Sequence, residues 1–325
     1  MYQYESVKLE KGMYHLTNKS FLQALEEADP SAQYSGSPLA GLDAYERQLK
    51  RFDIHVSGAN CDKVEKFFVT TESAVLFPEF IRRALLQGME DTFLPEIVAV
   101  VSRTNSTNFH GCELSDSNAY TTTSAGNALP VSTIMENSII NTLLKYGRNI
   151  QASYEAIHQQ RLDVYARMLR KIGMRLAGSI VEKAVAVLKN ASNNSTKISV
   201  ATANFSYDNL AALYGNFSNF KMRIMLASPA NMAKILTMNQ MLEISSKDVT
   251  EIRLPFGTKL ICCPQLDDNT ILGLDSDFAL EQMQNGDMIL ETDKIIERQL
   301  DSITVSIILS FRAFMSDAIR QLALT

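Results

Sequence analysis

The chain has 325 residues, 46% of them hydrophobic and 21% charged, and this ordinary composition excludes a largely disordered protein. Its formal net charge of −5 argues against general affinity for nucleic acid, because such binding needs a basic surface to neutralise phosphates. The first residues contain no apolar core of a secretory signal, so we expect folding in a cytoplasm. The spacing of the four cysteines matches no disulfide framework or zinc site, which indicates a reducing compartment.

The N-terminal part is predicted to form an arm followed by helices. Polar and small residues from Asp29 to Gly41, including two prolines, predict an extended connector. A short helix is expected around Leu42 to Phe52. Phe77-Pro78-Glu79 is predicted to begin the next helix, because proline suits the first helical position, and Gly88 to end it.

Val101 to Pro130 is dominated by Ser, Thr, Asn and Gly, and its few apolar residues stand alone. A segment this long without a core face is uncommon inside a compact domain and usually has a function. Its Thr and Tyr content favours a two-stranded β-ribbon. We expect that ribbon to be ordered by a covering neighbour, such as a second chain. A strand is predicted next, from Ile139 to Ile150.

One long helix is predicted from Ser153 to Asn190, with Ser153 as N-cap and Glu155 in the first turn. Apolar residues recur along it at the spacing of one helical face, namely at Ile157, Leu162, Tyr165, Leu169, Ile172, Leu176, Ile180, Val185 and Leu188. At ~1.5 Å per residue it would span about 50 Å. Gly173 and Gly178 interrupt a heptad pattern, and repeated charges exclude a membrane span. The helix therefore indicates the girder of an extended subunit.

Alternating strands and helices from about Ile198 to Asp287 predict an α/β lobe. Its predicted elements are a helix capped by Ser206, a strand at Lys221–Ala227, a helix beginning at Ser228-Pro229, strands at Lys259–Cys263 and Thr270–Leu274, and a helix capped by Asp275. The chain then alternates apolar and polar residues from Ser302 to Phe314, with Ile308 as the exception. This period-two pattern predicts a half-buried strand.

Several residue groups could suggest chemistry, but none matches a known site. A possible metal cluster consists of Asp267, Asp268, Asp275 and Asp277, whose spacing fits a turn and a helix cap better than a calcium loop. The four histidines lack the neighbours of a catalytic triad, and His110 with Cys112 lacks two further zinc ligands. The basic run from Arg161 to Arg175 could contact nucleic acid, although such charges normally solvate a helix face. The sequence predicts no catalytic residue, cofactor or metal.

Three segments resemble the major capsid proteins of tailed bacteriophages, whose Hong Kong ninety-seven type fold is shared with encapsulins. They are FFVTTESAVLFPEFIRRALLQGMED at Phe67–Asp91, LLKYGRNIQASYEAIHQQRLDVYARMLRKIGMRLA at Leu143–Ala177, and MILETDKIIERQLDSITVSIILSFRAF at Met288–Phe314. They resemble, in order, the segment before the extended loop, the strand entering the spine helix, and the closing strand. The resemblance extends over nearly the whole chain from Leu42.

The resemblance implies an α+β fold with an order of segments typical of phage capsid proteins. These are an N-terminal arm (1–58), a peripheral-domain region with the entry helix (59–100), an extended loop (101–130), the peripheral domain with the spine helix (131–197), an α/β axial domain (198–287) and a closing strand of the peripheral domain (288–325). It implies a structural protein, not an enzyme, that self-assembles into hexamers and pentamers of an icosahedral head around double-stranded DNA. It would be assembled in the host cytoplasm and end in the virion.

The partners implied are other copies of the chain, a portal, and a separate scaffolding protein, since the stretch before Leu42 is too short for a scaffolding domain. DNA would be enclosed without sequence-specific binding, and no membrane is expected. Some members join subunits by an isopeptide bond from a loop lysine, but residues 101–130 contain no lysine, so we expect no such crosslink. Two alternatives stay open: an encapsulin-like compartment shell, and a two-lobed soluble enzyme that would need a convergent set of titrating residues.

Overall fold

The computed structural model describes residues 3–14, 16, 19–116, 123–129, 131–153, 156, 158–191, 197–242, 251–295, 297 and 300–325. Its α-helices are α1 (Phe21–Ala28), α2 (Ala44–Arg51), α3 (Thr71–Ala74), α4 (Phe77–Glu90), α5 (Leu94–Ile97), α6 (Leu162–Ala191), α7 (Tyr207–Gly215), α8 (Pro229–Leu236) and α9 (Asn239–Leu242). Within these residues, no helix has the length and apolar character needed to cross a membrane.

The strands are β1 (Val98–Arg103), β2 (Asn108–Asp116), β3 (Ser132–Thr142), β4 (Leu144–Ser153), β5 (Lys197–Val200), β6 (Ile224–Ala227), β7 (Lys259–Cys262), β8 (Thr270–Leu274), β9 (Leu280–Ile295), β10 (Leu300–Ala313) and β11 (Ile319–Leu324). They form a four-stranded sheet in the order β1-β9-β10-β4, a five-stranded sheet in the order β5-β11-β8-β6-β7, and the two-stranded ribbon β2-β3. The predicted α+β class is confirmed.

The chain divides into two compact units. The first unit comprises Met1–Thr92, Gly147–Ala177 and Ile289–Ser306. The second unit comprises Phe93–Tyr146, Gly178–Met288 and Ile307–Thr325. The first half of α6 therefore belongs to the first unit and its second half to the second unit.

In the first unit, the segment predicted as an extended connector is compact, so that prediction is wrong. Ser31–Tyr34 forms a turn of 3-10 helix, and the side chain of Tyr34 is buried. The guanidinium of Arg47 on α2 is fully buried, donates to Asp29 Oδ2 at 2.6 Å and lies 4.3 Å from the Tyr34 ring centre. Because a buried charge is tolerated only when paired, this cluster holds the segment onto α2. The short helix predicted around Leu42 to Phe52 is confirmed as α2.

Helix α4 begins where Pro78 predicts but does not end at Gly88 as expected. A Cβ at Gly88 would lie 2.1 Å from the Arg170 carbonyl oxygen of α6, and a Cβ at Gly173 would lie 2.2 Å from the Leu85 carbonyl oxygen of α4. The two helices therefore approach backbone to backbone. Gly88 serves close packing inside the helix, not its termination.

The long helix begins nine residues later than predicted, at Leu162 and not at Ser153. Ser153 is the last residue of β4, and its hydroxyl accepts from Ala156 N–H at 3.3 Å, as expected of an N-cap. Glu155 and Ile157 lie outside the described residues. The reason is a pairing that is distant in sequence. Arg161 forms an antiparallel bridge with Lys63, flanked by hydrogen bonds from Val64 N–H to the Gln160 carbonyl and from Leu162 N–H to the Asp62 carbonyl. Ala156 and His158 are helical, but this extended pairing at Arg161 separates them from the continuous helix that begins at Leu162.

From Leu162 onward the predicted apolar face of the helix is confirmed. Buried residues on it are Leu162, Tyr165, Leu169, Leu176, Ile180, Val185 and Leu188. Ile172 is half-buried. In the first unit, the Tyr165 ring stacks on Phe77 and Phe80 of α4 at centroid distances of 6.2 and 6.4 Å. The 3.6-residue periodicity of the sequence thus located the packed face of α6 correctly.

In the second unit, most predicted elements of the α/β lobe are confirmed. Ser206 caps α7 through a capping box with Asn209, and the Ser228 hydroxyl caps α8 by accepting from Asn231 N–H. The helix predicted after Asp275 is wrong, because a turn leads directly into β9. The Asp275 carboxylate instead accepts from Lys221 N–H at 2.9 Å and from Asp277 N–H at 3.3 Å.

Two features of the strands differ from the predictions. The last strand, β11, lies parallel to β5 and antiparallel to β8, so the end of the chain completes the five-stranded sheet. The strand predicted from Ile139 to Ile150 is two strands, β3 and β4, interrupted at Leu143. The closing strand predicted from Ser302 to Phe314 is confirmed as β10, with its alternating apolar residues buried.

Candidate assembly surface

The polar segment predicted as a β-ribbon does form one, but its boundaries differ. Strand β2 pairs antiparallel with β3, from Asn108 opposite Thr142 to Asp116 opposite Ser132. The second strand therefore lies beyond Pro130, outside the range predicted for the loop. The first residues of that range, Val101–Arg103, belong to β1. Its most Tyr- and Thr-rich residues, 120–122, lie outside the described residues.

The ribbon carries exposed apolar side chains on both of its faces. The exposed fraction is 74% for Ile134, 65% for Ile139 and 55% for Ile140. Consecutive strand residues point to opposite faces, so Ile139 and Ile140 lie on different sides of the ribbon. Leu114 lies opposite Ile134 and is also exposed. These side chains of β3 form an exposed surface that the ribbon itself does not cover.

A buried ion pair lies at the base of the ribbon. The Arg312 guanidinium of β10 donates from Nε to Glu281 Oε2 of β9 at 2.5 Å, and the two side chains are only 10% and 6% exposed. The other Glu281 oxygen accepts from the Ser102 hydroxyl of β1. Three neighbouring strands of the sheet therefore supply one connected polar group, in which the buried carboxylate is satisfied on both oxygens.

The same arginine contacts the ribbon backbone. Arg312 Nη2 donates to the Cys112 carbonyl at 3.2 Å, and a Cβ at Gly111 would lie 2.0 Å from Arg312 Cζ. The ribbon register shifts between His110, which pairs with Ile140, and Cys112, which pairs with Glu136, so the extra residues lie on β3 opposite Gly111. Arg312 therefore contacts the ribbon where its register shifts.

The acidic residues considered as a metal cluster each have a protein partner. Asp267 accepts from Lys189 Nζ, Asp268 from the Ser228 hydroxyl, and Asp277 from Arg223 Nη2. Burial raises the pKa of the Asp267 carboxyl, but hydrogen bonds from Lys189 and Thr270 outweigh it and hold that pKa below its usual value. Within the described part of the chain, no three His, Cys, Asp or Glu side chains are grouped as metal ligands.

The described histidines make structural contacts. His55 N–H donates to Asp62 Oδ2 at 2.8 Å, His110 faces the Asn137 carbonyl, and the His158 ring stacks on Phe68 at 4.9 Å. His15 lies outside the described residues. Cys263 is buried, as predicted for a small apolar residue, while Cys262 is exposed. His110 Nδ1 also lies 3.9 Å from Glu136 Oε1, but the described residues contain no group of three His, Cys, Asp or Glu side chains that could hold a metal ion.

An open depression of about 450 Å³ lies in the first unit beside the start of α6. It is lined by Val56, Ser57, Gly58, Gln87, Asp163, Ala166, Arg167 and Arg170. Arg170 is already paired with Asp91, its Nε 2.8 Å from Oδ2. The lining groups do not form a nucleophile-and-base arrangement.

The sequence predicted neither the contact of Arg312 with the ribbon nor the exposed apolar surface of the ribbon. The string VSTIMENSIINT contains Ile134, Met135, Ile139 and Ile140 on alternating faces, which no single core could bury. That pattern was a readable signal of a surface that is covered by something else. The pairing of Glu281 with Arg312 had no local signal, because the two residues are 31 positions apart and meet only when β9 and β10 become neighbours in the sheet.

The fold is similar to those of solved capsid and encapsulin structures. The chain is similar to the virus-like particle of Pyrococcus furiosus (14% identity, TM-score 0.55, covering 75% of this chain and 98% of that one). It is also similar to the capsid of cyanophage P-SCSP1u (14%, 0.56, 72% and 88%) and to the encapsulin complex of Synechococcus elongatus (13%, 0.53, 71% and 86%). At these identities the similarity shows the fold.

The family is shown by the sequence itself. The phage capsid protein family model matches residues 136–311, which is more than half of the chain, and the chain belongs to that family. No curated protein matches it significantly. The resemblance stated from three sequence segments is confirmed, and with it the Hong Kong ninety-seven type fold. The protein is a structural protein of the capsid shell.

Proposed function

We propose that this protein is a major capsid protein that assembles into hexamers and pentamers of an icosahedral phage head enclosing double-stranded DNA. The observation that carries the proposal is the ribbon. Its isoleucines are exposed, and Arg312 holds its backbone by a hydrogen bond to the Cys112 carbonyl. A positioned apolar surface of this kind is useful when another subunit covers it.

The segments take the roles that the family resemblance implies. The ribbon β2-β3 is the extended loop that lies over an adjacent subunit. Residues 143–191 and 288–313 contribute the peripheral domain, with α6 as its spine helix. Residues 197–287 form the axial domain around the five- and six-fold axes, and β11 completes its sheet. Residues 1–58 are the N-terminal segment.

The net charge supports a container for DNA that does not bind it tightly. At a formal charge of −5 the chain repels densely packed DNA more than it attracts it, which favours packaging and release. The shell would be assembled in the host cytoplasm with a separate scaffolding protein and a portal, and would remain in the virion. In this role the chain has no catalytic residue, cofactor or metal.

An encapsulin-like compartment shell is the second candidate, and the similarity to the Synechococcus encapsulin favours it. The two functions share the fold and the assembly chemistry, so the structure of one subunit does not separate them. Genes for a portal and a terminase beside this one would indicate a phage head. A neighbouring gene for a cargo enzyme would indicate a compartment.

The assembly proposal is tested with the full chain, by light scattering and negative-stain electron microscopy. We expect capsomer rings or closed shells, with a scaffolding protein co-expressed if the chain alone stays dispersed. The double variant Ile134→Asp, Ile140→Asp should stay dispersed with an unchanged melting temperature, because neither side chain belongs to the core. Val69→Asp is the matched control, since Val69 is equally exposed (72%) but lies outside the ribbon. Wild-type protein that stays monomeric with scaffold supplied would overturn the proposal.

The shell is expected to be held together without covalent crosslinks. Residues 101–130 contain no lysine, and none occurs in β3 either. A reducing denaturing gel of assembled particles should show one monomer band. A ladder of multimers would contradict this expectation.

A further inference from the structure

The first half of α6 exposes a regular row of side chains. The row consists of Val164, Arg167, Met168, Lys171, Met174 and Arg175. Their spacing of three and four residues places them on one face of a helix, opposite Leu162, Leu169 and Gly173. We call this row the α6 outer face.

The apolar members of the α6 outer face are exposed to solvent. The exposed fraction is 54% for Met168, 41% for Met174 and 40% for Val164. Methionine side chains are flexible and polarisable, and they are over-represented on surfaces that bind partner helices. Apolar residues repeating at helical spacing are the pattern by which one helix docks on another.

The charge on this face has one sign. Its charged members are the cations Arg167, Lys171 and Arg175, and it carries no acidic residue. Among the described residues, no ion pair involves Arg167 or Lys171. The nearby acid Asp163 is paired with Arg161 at 3.0 Å. A locally basic face on a chain with a net charge of −5 therefore favours an acidic partner.

We propose that the α6 outer face is the docking site for an acidic amphipathic helix of a second protein that directs assembly. This inference rests on the proposed function, since a shell protein is the kind that needs such a partner. The partner helix would place apolar residues over Met168 and Met174 and carboxylates beside Lys171 and Arg167. Duplex DNA would use the cations but leave the two methionines and Val164 without a role, so the apolar row favours a helix over DNA.

The probe for the test is a fluorescein-labelled peptide of about 20 residues, with Leu at i, i+3, i+4, i+7 spacing and Glu at flanking positions, since such a sequence forms an amphipathic helix. Its binding to the full chain, kept unassembled by dilution, is followed by fluorescence anisotropy. We expect saturable binding that Met168→Asp and Lys171→Glu each weaken by about tenfold or more, which corresponds to ~1.4 kcal/mol. Met174→Asp is a second variant of the apolar row.

Two controls define the outcome. Lys183→Glu reverses an exposed charge on the same helix outside the row and should leave binding unchanged. A scrambled peptide of the same composition should bind much more weakly. Equal binding of the scrambled peptide, or loss with Lys171→Glu but not with either methionine variant, would overturn the proposal. So would tighter binding of a duplex DNA that the methionine variants do not weaken.

The result can be separated from that of the proposed function. Assembly of the wild-type chain is measured independently by light scattering and electron microscopy. A chain that forms shells but does not bind the peptide would refute only the docking site. A chain that binds the peptide as expected but never assembles, even with scaffold, would refute only the shell.

Discussion

Gly88 and Gly173 lie at the same helix crossing, and each faces the carbonyl of the other helix. A Cβ on Gly88 would meet the Arg170 oxygen at 2.1 Å, and a Cβ on Gly173 would meet the Leu85 oxygen at 2.2 Å. Close backbone approach of this kind is possible only without side chains at the contact. The two glycines therefore set the distance between α4 and the first half of α6.

Replacing either glycine with alanine should destabilise the protein. Alanine normally favours a helix by about 1 kcal/mol over glycine, but the new methyl groups would collide with backbone that cannot move aside cheaply. We expect Gly88→Ala and Gly173→Ala each to lower the free energy of unfolding by about 1–3 kcal/mol. Urea denaturation followed by circular dichroism measures the change.

Gly178 provides the control on the same helix. A Cβ there would have only Gln265 Nε2 nearby, at 3.4 Å, which is the far end of a flexible side chain. Gly178→Ala should therefore be neutral or mildly stabilising. If all three alanine variants behaved alike, the close crossing of α4 and α6 would not be the cause.

Removing Arg312 should be costly because it leaves a buried carboxylate without its cation. We expect Arg312→Ala to lower the free energy of unfolding by about 3–5 kcal/mol. Arg103→Ala is the control, since Arg103 pairs with Asp287 at a site where the side chains are 71% and 65% exposed. That exposed pair should contribute no more than about 1 kcal/mol. Similar losses for both variants would contradict the role given to the Glu281–Arg312 pair.

Acid should weaken the contact between Asp267 and Lys189. The pKa of Asp267 is lower in the folded protein than in the unfolded chain, so the contact stabilises the fold above the unfolded value of about 3.9. Its contribution is lost as the pH falls through the folded pKa. The difference in melting temperature between wild type and Asp267→Asn should shrink below about pH 4. A difference that stayed constant into strong acid would refute this linkage.

The cysteines should differ in reactivity with a thiol reagent. Cys112 and Cys262 are exposed, whereas burial raises the pKa of the Cys263 thiol and keeps it protonated. Because the thiolate is the reactive form, we expect Cys112 and Cys262 to react rapidly and Cys263 only after denaturation. Cys112→Ser should remove one rapid thiol.

The same measurement on assembled particles tests whether the ribbon is covered. If a neighbouring subunit lies over β2 and β3, Cys112 should become protected on assembly. Unchanged reactivity of Cys112 in closed shells would contradict coverage of that face of the ribbon.

Elements with a strong local signal were predicted well. Ser206 starts α7 through its contacts with Asn209, and the Ser228 hydroxyl caps α8. The alternation from Ile303 to Phe311 defines β10. The capsid family was also readable from three segments in order. The candidate surface was predicted only in outline, because the polar ribbon was recognised but its apolar strand was not. The apolar residues of β3 on alternating faces, such as Ile139 and Ile140, were a readable signal of that surface.

The sequence by itself determined the periodic faces, the helix caps and the family, since each depends on residues close together in the chain. Only the tertiary structure decided that α6 begins after Arg161, because Lys63 holds that residue in an extended pair. It likewise placed β11 between β5 and β8 and joined Glu281 to Arg312 beneath the ribbon. These features depend on contacts between residues far apart in sequence. The local pattern of residues carries no information on such contacts, because they form only when distant parts of the chain come together.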